Sequence, residues 1–173
     1  MCGISGIIHK NSLANDRPDV GGELVKMLES MTHRGMDSCG ITVAGQPENG
    51  ELMVRIWADE SSKSKDIEAI CEQTIEESGG VVVDKIAIGE FLRITLNYEG
   101  NVSELAESLL AIDGIEIHSI GRSSEVIKDI GTPKQMDKRH KISGMLGTHG
   151  IGHVRLATES KVDVSHSHPF WAY

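Results

Sequence analysis

The chain has 173 residues, 39% hydrophobic and 25% charged, the proportions of one water-soluble globular domain long enough to bury a core. Its formal charge of −9 argues against a nucleic-acid surface, which needs a basic stripe, and against an anionic membrane. No apolar run approaches the roughly 20 residues of a membrane span, no charged stretch leads into an apolar segment as in a secretory leader, and three widely spaced cysteines form no disulfide framework, so the expectation is a cytoplasmic protein.

Aromatic residues make up only 3%, so Ile, Val, Leu, Met and Ala must build the core. Cys2 to His9 reads as a strand and Lys10 to Gly22 as a polar loop. Leu24, Met27, Leu28 and Met31 follow helical spacing, which predicts a helix from about Gly22 to His33. The stretch from His33 to Gly40 is loop-like and feeds a strand, Ile41 to Ala44. Gly45 to Gly50, with Pro47 and Asn49, reads as a hairpin turn returning along Leu52 to Trp57.

From about Ala58 to Lys141 the character changes. A helix is expected near Ser64 to Glu77, an apolar run at Val81 to Val83, a strand near Ala87 to Asn97, a second amphipathic helix over Asn101 to Ala111, and a short strand at Ile115 to Ile120. Pro133 to Lys141 is strongly charged. This region, 58–141, is expected to be an α/β insertion. Strand character returns from His149 to Thr158, and the final residues carry His166, His168, Pro169, Phe170 and Trp171. Aromatics contribute large buried areas, so an aromatic end suggests a core that continues in further sequence.

Cys2 is the residue with the clearest chemistry. Removal of Met1 would leave one residue with both a thiol and a free α-amine. The thiol has an ordinary pKa of about 8.5 and the amine one near 7.7–8.0, so nucleophile and base would share a residue. Taken alone, Cys2 also reads as a small apolar residue opening a strand.

Three separated segments resemble one family. They are Cys2-Gly3-Ile4-Ser5-Gly6-Ile7; His33-Arg34-Gly35-Met36-Asp37-Ser38-Cys39-Gly40; and Gly152-His153-Val154-Arg155-Leu156-Ala157-Thr158-Glu159-Ser160 with His168-Pro169-Phe170. Together they resemble the class II glutamine amidotransferases. The Arg-x-Ala-Thr-Glu-Ser and Ser-His-Pro-Phe-Trp variants are most similar to the stand-alone amidotransferase subunits of glutamate-synthase and N-methylglutamate-synthase complexes. The resemblance covers roughly the first 57 and the last 25 residues.

What the resemblance implies is an α+β fold: the N-terminal-nucleophile hydrolase four-layer αββα sandwich, with the α/β insertion, over residues 1–173. Cys2 would attack the side-chain amide of L-glutamine and form a thioester that water hydrolyses to glutamate, while ammonia passes to a synthase subunit in a hetero-oligomer. Arg155 would grip the substrate carboxylate, since a planar guanidinium binds it bidentately; by itself it reads as a strand-edge arginine in a surface ion pair. Thr158 and Ala157 would line the same end, and Arg34 would shape the pocket wall and fix the N-terminus. Asp37 and His168 would support the site, Asp37 structurally.

No cofactor is expected. His149, His153, His166 and His168 lack a carboxylate or thiolate at a recognised metal spacing, so no metal is expected either. The resemblance places an oxyanion-hole segment, His-Asn-Gly, after the His-Pro motif. The domain is therefore expected to be C-terminally incomplete at Tyr173, and these residues by themselves inactive or nearly so. Two other expectations stay open: a non-catalytic glutamine-sensing or scaffold subunit, and an amidotransferase of another nitrogen-transfer pathway.

Overall fold

The computed structural model describes residues 2–10, 16–46, 49–59, 66–158 and 161–171. These form two compact units, Met1–Pro47 with Val126–Trp171, and Glu48–Glu125. The fold is α+β, with four α-helices and two four-stranded sheets among the described residues.

The first unit contains β1 (Gly3–Ile8), α1 (Val20–Ser30), β2 (Ser38–Ala44), α4 (Pro133–His140), β8 (His149–Arg155) and the larger part of β7 (Ser124–Ile130). Its sheet runs β1-β8-β2-β7, and β8 pairs antiparallel with both β1 and β2. Side chains alternate across a strand, and here the alternation sorts the two faces. Cys39, Ile41, Val43, Ile127 and Val154 point to one side and pack on Val20, Leu24 and Leu28 of α1 and Met136 of α4. Glycine makes the close approach of α1 possible. A Cβ on Gly152 would lie 2.9 Å from Leu28 Cδ1, and one on Gly150 would lie 2.7 Å from Leu24 Cδ1.

Helix α1 begins at Asp19, whose Oδ1 accepts from Gly22 N at 2.8 Å, a side-chain N-cap. The same oxygen accepts from Gly144 N at 2.8 Å and so ties the loop after α4 to the start of α1. Helix α4 was not expected from apolar spacing, because Met136 is its only large apolar residue. Its signals are at the ends instead: a capping box between Thr132 and Gln135, Pro133 in the first turn, and Lys141 closing it in the left-handed region at φ 55°. Strand β7 also had no counterpart in the sequence reading.

The second unit contains β3 (Leu52–Ala58), α2 (Ile67–Glu77), β4 (Val81–Ile88), β5 (Phe91–Asn97), α3 (Val102–Leu110) and β6 (Ile115–Gly121). Its strand order is β4-β5-β3-β6. A β-α-β-β-α-β chain in that order is the split βαβ, or ferredoxin-like, arrangement. Leu52, Val54, Ile56, Ile94 and Leu96 of the sheet are buried, as are Cys71 and Ile75 of α2 and Leu105 and Leu109 of α3. Asp66 and Asn101 cap the two helices through their side chains.

Two element expectations are corrected. β2 and β3 do not form a hairpin: β2 belongs to the first sheet and β3 to the second. The glycines around Pro47 permit a reversal, but β2 finds its partners in β8 and β7, where its apolar face can meet α1. The single strand expected near Ala87 to Asn97 is part of a hairpin. Ile88 pairs with Phe91, which leaves Gly89 and Glu90 as a two-residue loop with Gly89 at φ 61°. Such tight hairpins favour glycine at a positive φ.

Candidate active site

The second face of the first sheet carries Ile4, Gly6 and Ile8 of β1, Ile151, His153 and Arg155 of β8, Ser38, Gly40 and Thr42 of β2, and Lys128 of β7. In the antiparallel registers Gly3 stands opposite Val154, and Ser38 opposite Arg155. Cys2 directly precedes Gly3 and Arg155 directly follows Val154, so the same register carried one step further would set the two side by side. Opposed residues in such a pair have Cα atoms about 4.5–5.5 Å apart.

Cys2 is exposed, whereas Cys39 and Cys71 are buried. Burial, with the Asp129 charge adding to it, pushes the Cys39 thiol up to about 12. Burial alone pushes Cys71 up to about 11. Neither supplies thiolate near neutral pH. The carbonyl of Cys2 accepts from Arg34 Nε at 3.2 Å, so the short 3₁₀ turn Thr32–Arg34 after α1 holds the first peptide in place.

Asp37 clamps the far end of β8. Its Oδ2 accepts from Ala157 N at 2.7 Å, and its backbone N donates to Arg155 O at 3.1 Å. Gly35 lies close below: a Cβ there would meet the Arg155 carbonyl carbon at 2.4 Å. Arg155 is 7% exposed, and its Nη1 and Nη2 donate to Lys161 O at 3.4 and 3.3 Å. Thr158, three residues past Arg155, is exposed beyond the end of the strand, and Ala157 is half-buried.

The stretch 161–170 lies across this face. The His168 carbonyl oxygen lies 2.2 Å from where a Gly40 Cβ would be, so only glycine admits the His168–Pro169 backbone, which is cis. The His168 ring lies 5.0 Å from the His153 ring and 4.6 Å from Phe170. Lys128, almost fully buried, sets Nζ 5.0 Å from the centre of the Phe170 ring, a cation–π distance. Burial, then the neighbouring His168 and Arg155 charges, lowers the His153 pKa below its ordinary value, which favours the neutral imidazole. Among the described residues no group of three or more His, Cys, Asp or Glu could hold a metal ion.

The fold thus gathers Cys2, Arg34, Asp37, Arg155, Ala157 and His168 into the first unit at one end of its sheet. Thr158 makes no described contact there. Sequence reasoning passed over Ser38, His153 and Lys128 on the same face. Ser38 and His153 lay inside the quoted motifs, and pairing the two segments as antiparallel strands would have found them. Lys128 carried no signal, because β7 was unassigned.

No protein-family model matches the chain. It is 34% identical over 171 residues, 98% of its length, to the glutamine amidotransferase-like protein GlxB of Rhizobium meliloti. It is 30% identical over 181 aligned positions, covering all of the chain, to a putative glutamine amidotransferase of Methanothermobacter thermautotrophicus. The chain spans 54% of the first relative's length and 57% of the second's. Similarity running through all three motif segments and the region between them supports a glutamine amidotransferase family for this chain.

Proposed function

We propose that the chain carries the glutaminase site of a class II, N-terminal-nucleophile amidotransferase. The observation that carries this is the exposed Cys2 thiol, whose chain neighbour Gly3 pairs with Val154 next to Arg155, with the other two thiols buried. In this reading glutamine spans the two. Arg155 grips its α-carboxylate, and the side-chain amide reaches Cys2 Sγ. The α-amine freed by loss of Met1 takes the thiol proton, directly or through water, and Sγ bonds to the amide carbon. The proton goes to the departing ammonia as the C–N bond breaks. Water then cleaves the thioester, releasing glutamate and restoring the thiol.

In the same reading Arg34 holds the Cys2 peptide, Asp37 fixes the strand end behind Arg155, and His168 with Ala157 and Thr158 borders the pocket. Ammonia passes to a synthase subunit of the glutamate-synthase type in a hetero-oligomer. The first sheet, with α1 and α4, belongs to an αββα sandwich, and the region expected as an α/β insertion, about 58–141, contains most of the second unit. The motifs quoted above support this reading, and the names of the two relatives support its glutamine amidotransferase part.

A glutamine-mimicking diazo-ketone tests it. In protein freed of Met1 the reagent should add one label at Cys2, and excess glutamine should block it. Peptide mapping that finds the label on Cys39 or Cys71 would reject the assignment.

A further inference from the structure

Among the described residues, two side-chain polar atoms on the Arg155 face are buried without a hydrogen-bond partner, Ser38 Oγ and His153 Nδ1. Ser38 is 0% exposed and stands directly opposite Arg155 in the β2–β8 register. Residues so opposed hold their Cβ atoms about 4.5–5.5 Å apart on one face of the sheet. A buried hydroxyl without a partner weakens a fold, and native structures leave few of them. Alanine would fill this position at less cost if packing were all it had to do. His153, one residue pair inward along the same face, is a second unsatisfied group in the same patch.

A carboxylate has about four lone-pair sites, and a guanidinium fork takes two of them. A hydroxyl one Cβ spacing from the arginine is placed to donate to a third. We propose that Ser38 is a substrate-binding residue whose hydroxyl donates to the α-carboxylate gripped by Arg155. This rests on the glutamine pocket proposed above. It accounts for a serine at a position where its oxygen finds no partner among the described residues.

The test uses calorimetric titration in a Cys2→Ala background, where substrate binds without turnover. Two ligands are compared: glutamine, and its analogue with the α-carboxylate converted to an amide. Adding Ser38→Ala should weaken glutamine binding about tenfold or more, the worth of a hydrogen bond to a charged group. It should leave the analogue's affinity unchanged and the thermal midpoint unchanged or raised. Equal glutamine affinity with and without the hydroxyl would overturn the proposal. So would a lowered midpoint with both ligands weakened alike, the mark of a packing role. If the Cys2→Ala parent binds no glutamine at all, the pocket reading fails and takes this inference with it; binding that ignores Ser38 defeats the inference alone.

Discussion

Asp37 connects three segments through one residue. Its carboxylate receives Ala157 N, its own N–H reaches Arg155 O, and its carbonyl receives Gly131 N at 2.8 Å. The two backbone bonds survive any substitution that leaves the backbone in place, so only the carboxylate bond is open to mutation. Asp37→Ala should cost about 1–3 kcal/mol, because it leaves the half-buried Ala157 N–H without its charged acceptor. Asp37→Asn should recover part of that, since its amide oxygen can still accept. Urea denaturation of the three proteins measures this directly. A stability unchanged in Asp37→Ala would mean that the loop after β8 is held by other contacts.

At the scale of elements, the second unit contains an ionic cluster around one buried carboxylate. Arg55 and Arg93 oppose each other across β3 and β5. Both reach Glu125: Arg55 Nε at 2.6 Å, Arg93 Nε at 2.8 Å and Arg93 Nη2 at 3.2 Å. Arg93 Nη1 also donates to Thr95 Oγ1 at 2.9 Å. The Glu125 side chain is 3% exposed. Burial by itself would raise its pKa, but the Arg55 and Arg93 charges and hydrogen bonds outweigh that and lower it. Two arginines face each other here, so removing the shared carboxylate leaves like charges, only partly open to water, without their common counter-ion. Glu125→Leu should cost about 3–5 kcal/mol.

The pH dependence follows from the lowered pKa. In the unfolded chain a glutamate titrates near 4.3. The Glu125 contribution is therefore fully present above that value and is lost as pH falls through the lower folded value, because the unfolded state binds more protons in between. Unfolding midpoints followed from pH 6 downward should show this loss in the wild type, and a shallower loss in Glu125→Leu. Parallel curves would remove Glu125 from the acid response.

Elements also show where sequence reading works. Helices α1, α2 and α3 were legible from sequence pattern, and the structure adds side-chain caps at Asp19, Asp66 and Asn101. Helix α4 was not, since its one large apolar residue gives no period. Ser38, Cys39 and Gly40 were read with the loop, yet they begin β2, because pairing with β8 overrides their weak local preference. Cys2, Arg34, Asp37 and Arg155 were legible as motif residues scattered along the chain. Their arrangement was not, because register is a property of paired strands and appears in neither strand alone.

At the scale of the molecule, the sheet face that bears the site divides in two. Toward Arg155 it is covered by 161–170. Toward the β1 edge it is bare, with Ile4 75%, Ile8 74% and Ile151 51% exposed. Such a row contrasts with Ile7, on the other face of β1, which packs against the core. An edge strand with an apolar face and unpaired backbone groups invites pairing with another chain. These 173 residues span little more than half of each relative. By themselves the 173 residues should associate as concentration rises and bind a hydrophobic dye. Ile4→Lys combined with Ile8→Lys should suppress both, without changing the unfolding free energy by more than about 1 kcal/mol, since exposed side chains contribute little to stability. Light scattering across a concentration series decides it. A wild-type chain that stays monomeric and leaves the dye dark would show that a bare isoleucine row of this size is tolerated in water.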